Sequence, residues 1–121
     1  MRRAVVLLLV LAAALPAVAS AAARPPARLM VEAREFSLVL SRPVLKAGPA
    51  IVQLAVRGED GHDLRLTPLG RARDARSRAI PETRPGETAD WRGRLSRGRW
   101  KLFCSLPGHE RAGMRAVLRV R

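Results

Sequence analysis

The stretch that decides the fold is GRWKLFCSLPGHERAGMRAVLRVR, residues 98 to 121. Its two ends alternate with period two. Trp100, Leu102 and Cys104 share one side of the first run, and Met114, Ala116, Leu118 and Val120 share one side of the second. Apolar alternation of this kind marks strands with one face turned to a core. Cys104 therefore ends a strand facing inward and Met114 begins the next strand facing inward, so the segment between them must arch over one end of the core with His109 at its middle. Pro107 and Gly108 supply a stiff and a flexible corner for the arch, and Gly113 permits close backbone approach just before Met114. A thiol, an imidazole and a thioether spaced Cys-x4-His-x4-Met form a soft ligand set suited to copper. The other histidine, His62, lies upstream as the fourth candidate ligand.

Working outward, the rest of the chain reads as short strands. Leu29, Val31 and Ala33 alternate with Met30, Glu32 and Arg34, after which the apolar set moves to Phe36, Leu38 and Leu40. This change of parity predicts a bulge or bend that passes the chain from one sheet to another. Residues 50 to 57 (AIVQLAVR) put Val52, Leu54 and Val56 on one face, and in HDLRL after the Glu59-Asp60-Gly61 turn, Leu64 and Leu66 share the parity of His62. Residues 70 to 86, with two prolines and no steady period, read as a long surface connection, with a helical turn around ARDARSR. Residues 87 to 95 set Ala89, Trp91 and Leu95 on one side, and Ser96, Arg97 and Gly98 have the length and composition of a hairpin loop. About seven short strands with turn signals between them predict an all-β, antiparallel or mixed β-sandwich.

The first 23 residues differ from all that follow. A basic start, an apolar run at residues 4 to 15 and a small-residue stretch after Pro16 form the three-part pattern of a signal peptide. The competing expectation is a retained membrane anchor, since the segment nears the roughly 20 residues a spanning helix needs. Export leaves residues 24 to 121 as one small domain in a periplasmic or extracellular setting, membrane-associated if the leader is kept. The full chain carries a formal charge of +13, and all but two of its basic residues lie after residue 23. Such a surface attracts acidic proteins, anionic lipid or nucleic acid. With no Tyr, two Phe and two Trp, a base-stacking platform is not expected. A single cysteine in an exported domain forms no internal disulfide, so it is a buried inert thiol, half of an intermolecular bridge, or a thiolate doing chemistry.

Two imidazoles and a thiolate with a long axial thioether make up a blue-copper electron-transfer site. Zinc also takes Cys and His, but its structural sites use four strong ligands and methionine is a poor fourth. A Cys104/His109 nucleophile pair lacks an orienting third group and an oxyanion hole at recognisable spacing, which argues against a hydrolase. Copper storage, delivery or sensing remains the rival use; such sites tend to be exposed and rich in methionine or histidine, and this chain has few of either.

On these residues, FC followed by SLPGHERAGM, with GEDGHDL some forty residues upstream, the chain resembles the cupredoxin family of plastocyanin- and azurin-like small blue-copper proteins. The resemblance extends over essentially all of residues 24 to 121 in strand order. It implies a Greek-key sandwich with one copper, cycling between Cu(I) and Cu(II), held near one end by His62, Cys104, His109 and Met114. It further implies a monomeric one-electron carrier, not an enzyme, serving redox proteins that include acidic or membrane-bound ones and binding no nucleic acid. By the same carry-over His109 is the electron port, rimmed by Leu106, Pro107, Ala112 and Gly113. Two features depart from many relatives. Gly61 and Asp63 flank His62 where a proline or an asparagine is common, and the surface is strongly basic where relatives are often acidic or neutral. Asp63 either orders the ligand loops by hydrogen bonding or is an ordinary turn carboxylate.

Overall fold

The computed structural model describes residues 22 to 70 and 76 to 121. The leader expected at residues 1 to 23 falls almost wholly outside the described residues, and so does most of the helical turn expected around ARDARSR. The described chain runs β1 (Ala27–Arg34), β2 (Ser37–Leu40), β3 (Val44–Leu45), β4 (Gly48–Val56), β5 (His62–Leu69), β6 (Arg78–Thr83), β7 (Thr88–Leu95), β8 (Gly98–Phe103), α1 (His109–Ala112) and β9 (Arg115–Val120). These strands form two sheets, ordered β2-β1-β4-β7 and β3-β9-β8-β5-β6. The sheets are mixed: β1 runs parallel to β4 and β3 parallel to β9, and the remaining pairs are antiparallel.

The inward faces are those read from the alternation. Leu29, Val31 and Ala33 of β1, Val52, Leu54 and Val56 of β4, Leu64 and Leu66 of β5, Trp100 and Leu102 of β8, and Leu118 and Val120 of β9 are all buried in one core. Burial of these faces against each other is what pairs the two sheets. β4 buries Ile51 and Ala55 as well, as befits a strand with neighbours on both sides.

Three expectations about connections are corrected. The parity change between Ala33 and Phe36 does not move the chain between sheets: β1 and β2 form a hairpin within one sheet, with Arg34 opposite Ser37 and Ala33 opposite Leu38. In such a hairpin the inward positions switch from odd to even across the two-residue turn Glu35-Phe36, which produces the same sequence pattern as a bend. Residues 70 to 86 are not only a surface connection, because β6 lies within them and pairs with β5. Pro81 is tolerated there because β6 is an edge strand, and a register shift between His62 and Leu64 destroys the regular period. The Ser96–Gly98 link is a crossing from β7 in one sheet to β8 in the other and not a hairpin. The Trp100 indole N–H donates to Ser96 O at 3.1 Å and pins that crossing to the core.

Candidate metal centre

The centre is assembled where β8 and β9 leave the sheet. Their register sets Phe103 opposite Arg115, and the Cys104 amide donates to Met114 O at 3.1 Å, one further step along the ladder. Cys104 and Met114 thus face each other across the mouth of the hairpin, both fully buried. The arch between them tightens into α1, a single turn bounded by Gly108 at φ 82° and Gly113 at φ 131°. Its hydrogen bonds fold His109 back over the mouth: His109 N–H donates to Leu106 O and Met114 N–H donates to His109 O, both at 3.1 Å. Lys101 Nζ, 2.7 Å from Glu110 Oε1, ties the turn to β8.

His62 opens β5, which lies beside β8 and runs antiparallel to it. The start of β5 therefore meets the end of β8, and His62 is completely buried there. Its Nδ1 lies 3.2 Å from His109 Nδ1. Cys104 Sγ lies 3.9 Å from His62 Nδ1 and 3.7 Å from His109 Nδ1. Among the described residues, this is the one cluster of three such donors able to hold a metal ion. The separations are close to those of donors that share an ion: metal–nitrogen bonds of about 2.0 Å and a metal–sulfur bond of about 2.3 Å at trigonal angles would set donors roughly 3.5 to 3.7 Å apart. Burial pushes the Cys104 thiol above its ordinary value, and a metal bound there would displace its proton.

Asp63 has the ordering role and is no ordinary turn carboxylate. Only 4% exposed, it accepts the Ser105 amide N–H on Oδ1 at 2.6 Å and the Ser105 hydroxyl on Oδ2. Arg65 Nε donates to the same carboxylate at 3.1 Å. Burial works against its charge, but hydrogen bonds from the Ser105 hydroxyl and amide, together with Cys104 and Arg65, outweigh burial and hold the carboxyl below its usual range. The residue after His62 is thereby fastened to the residue after Cys104.

Two residues of the centre were not legible as such. Glu35 and Phe36, the turn between β1 and β2, reach the cluster from the opposite sheet. Glu35 Oε1 lies 2.9 Å from His62 Nε2, and its carboxyl is lowered to about 2, chiefly by the Asp60 and Glu59 amides that it accepts. The Phe36 ring packs edge-on against His109 at 5.2 Å between centroids and is 46% exposed. The parity change marked a turn here, yet nothing local connects that turn to a histidine 27 residues away. His109 itself is half-buried, and of the expected rim, Leu106 and Gly113 are half-buried while Pro107 and Ala112 are exposed.

Comparison with protein-family models and with curated proteins finds no match. Solved structures do match. A dithionite-reduced auracyanin from the photosynthetic bacterium Roseiflexus castenholzii superposes with a TM-score of 0.63 at 14% identity, covering 78% of this chain and 96% of that one. Auracyanin A, a "blue" copper protein from the green thermophilic photosynthetic bacterium Chloroflexus aurantiacus, gives 0.57 at 12% identity and covers 80% of this chain and all of its own. A reduced Cu(I) form of an amicyanin mutant gives 0.53 at 19% identity, with 84% and 87% covered. With two mixed sheets that match these proteins along most of their length, the chain has the cupredoxin fold.

Proposed function

We propose that this chain is an exported type 1 copper protein that carries single electrons between redox partners. The observation that supports this most directly is the convergence of two imidazole nitrogens and one thiol sulfur within 3.2 to 3.9 Å of one another at a buried end of the sandwich. In this reading His62, Cys104 and His109 would be the three strong ligands of the ion, and Met114 would offer a weak thioether. When bound, copper supplies reversible one-electron chemistry between Cu(I) and Cu(II).

The residues do the rest. Donors fixed by the β8–β9 ladder, by α1 and by the Asp63–Ser105 bonds have little freedom to rearrange, so a bound copper would meet nearly the same ligand set in both oxidation states. Burial of His62, Cys104 and Met114 keeps water from the donors. His109, half-buried beside exposed Phe36, is the edge through which an electron leaves. The same burial favours a carrier over copper delivery, for which a partner's ligands must reach the ion. A leader at residues 1 to 23 places the domain outside the cytoplasm, and the formal charge of +13 favours an acidic redox partner.

The test is the absorption spectrum of the mature protein titrated with Cu(II). We expect an intense blue thiolate-to-copper band at one copper per chain, absent in Cys104→Ser, with copper retained through repeated reduction and oxidation. A colourless copper-loaded protein sinks the blue-copper reading. Ready loss of Cu(I) to a chelator converts the carrier into a delivery protein.

A further inference from the structure

The turn between β1 and β2 carries a carboxylate whose position is over-determined. Glu35 Oε1 meets His62 Nε2 at 2.9 Å and the Asp60 amide at 2.8 Å, and Oε2 accepts the Glu59 amide at 3.1 Å. A seat is left for it: a Cβ at Gly58 would overlap both carboxylate oxygens, so the neighbouring loop approaches Glu35 as closely as it does only because residue 58 has no side chain. The carboxylate is 24% exposed, and the imidazole it meets is fully buried.

A carboxylate only accepts hydrogen bonds. The proton shared with His62 therefore sits on Nε2, and in the neutral ring Nδ1 is left with its lone pair. Nδ1 is also the atom directed at His109 Nδ1 and Cys104 Sγ. We propose that Glu35 is the positioning residue of the centre: it fixes the His62 tautomer, aims Nδ1 into the cluster, and sets a negative charge behind the imidazole. That charge favours the more highly charged state of a bound ion, so it lowers the reduction potential and makes the imidazole a stronger donor. The statement about potential rests on the copper reading above, whereas the statement about tautomer does not.

A loop tether alone would account for the Glu59 and Asp60 bonds, so the test must read His62. Histidine nitrogen NMR of the metal-free protein is expected to show His62 as the Nε2–H tautomer in the wild type and in Glu35→Gln, whose side-chain oxygen still accepts. A tautomer mixture is expected in Glu35→Ala, and also in Gly58→Ala, which expels the carboxylate while leaving Glu35 in the chain. In the copper-loaded protein, Glu35→Gln is expected to lose at least tenfold of the preference for Cu(II) over Cu(I), a rise of about 59 mV for one electron. An unchanged tautomer in both Glu35→Ala and Gly58→Ala, or an unmoved potential in Glu35→Gln, overturns the proposal. If the wild type takes up no copper, the copper reading fails by itself and the metal-free tautomer still decides the positioning role.

Discussion

Gly113 shows how much a single position can carry. It stands at φ 131°, a conformation that costs little only without a side chain, and a Cβ there would come within 2.7 Å of Phe36 O. Both the turn that delivers His109 and the approach of the β1–β2 turn depend on it. Gly113→Ala is therefore expected to lower stability by about 2 kcal/mol, a strained backbone costing roughly 1 to 3 kcal/mol. Urea unfolding checks this as a fall in midpoint at unchanged slope. The glycine before Met114 could be read from the sequence as a close-approach site. What it approaches could not, because Phe36 lies in a different strand pair some eighty residues earlier and no local pattern encodes that contact.

At the scale of elements, the centre exists because the end of β8 and the start of β5 are adjacent and are fastened to each other by Asp63. Removing the carboxylate in Asp63→Ala leaves the Ser105 amide and hydroxyl without the acceptor that now holds them. Hydrogen bonds to charged groups contribute about 1.5 to 3 kcal/mol, and a loss within that range is expected in denaturant unfolding. Faster amide exchange should be confined to residues 104 to 106, since the β5–β8 ladder from Arg65 to Leu69 does not use Asp63. Unchanged exchange there would mean that the loop is held by its own backbone bonds. Strand β6 illustrates the opposite case, an element hidden from a reading of period two. Ile80 points inward and is 1% exposed, but Pro81 and the shifted register around His62 break the alternation on either side of it. The two-residue strand β3 is shorter than any period and is defined only by its parallel partner β9.

Across the whole molecule, the metal and the fold are coupled. His62, Cys104 and His109 come from β5, from the end of β8 and from α1, so an ion held by all three binds the folded chain and not the unfolded one. Free metal at a hundredfold excess over Kd adds about 2.7 kcal/mol, which for a domain near 100 residues raises Tm by roughly 10 to 20 °C. Calorimetry with and without copper is expected to show this rise, its reversal by a chelator, and its near-abolition in Cys104→Ser. An equal rise in that variant would place the ion elsewhere, among surface groups.

The inward face of nearly every long strand, the arch from Cys104 to Met114 and the candidacy of His62 are all readable along the chain, because strand alternation and ligand spacing are local. Folding alone set which strands share a sheet, that the Ser96–Gly98 link crosses between sheets, and that Asp63 fastens two loops. It also brought Glu35 to the back of His62. Those facts depend on contacts between residues far apart in sequence, where burial of two complementary faces, and not any periodicity, selects the partner.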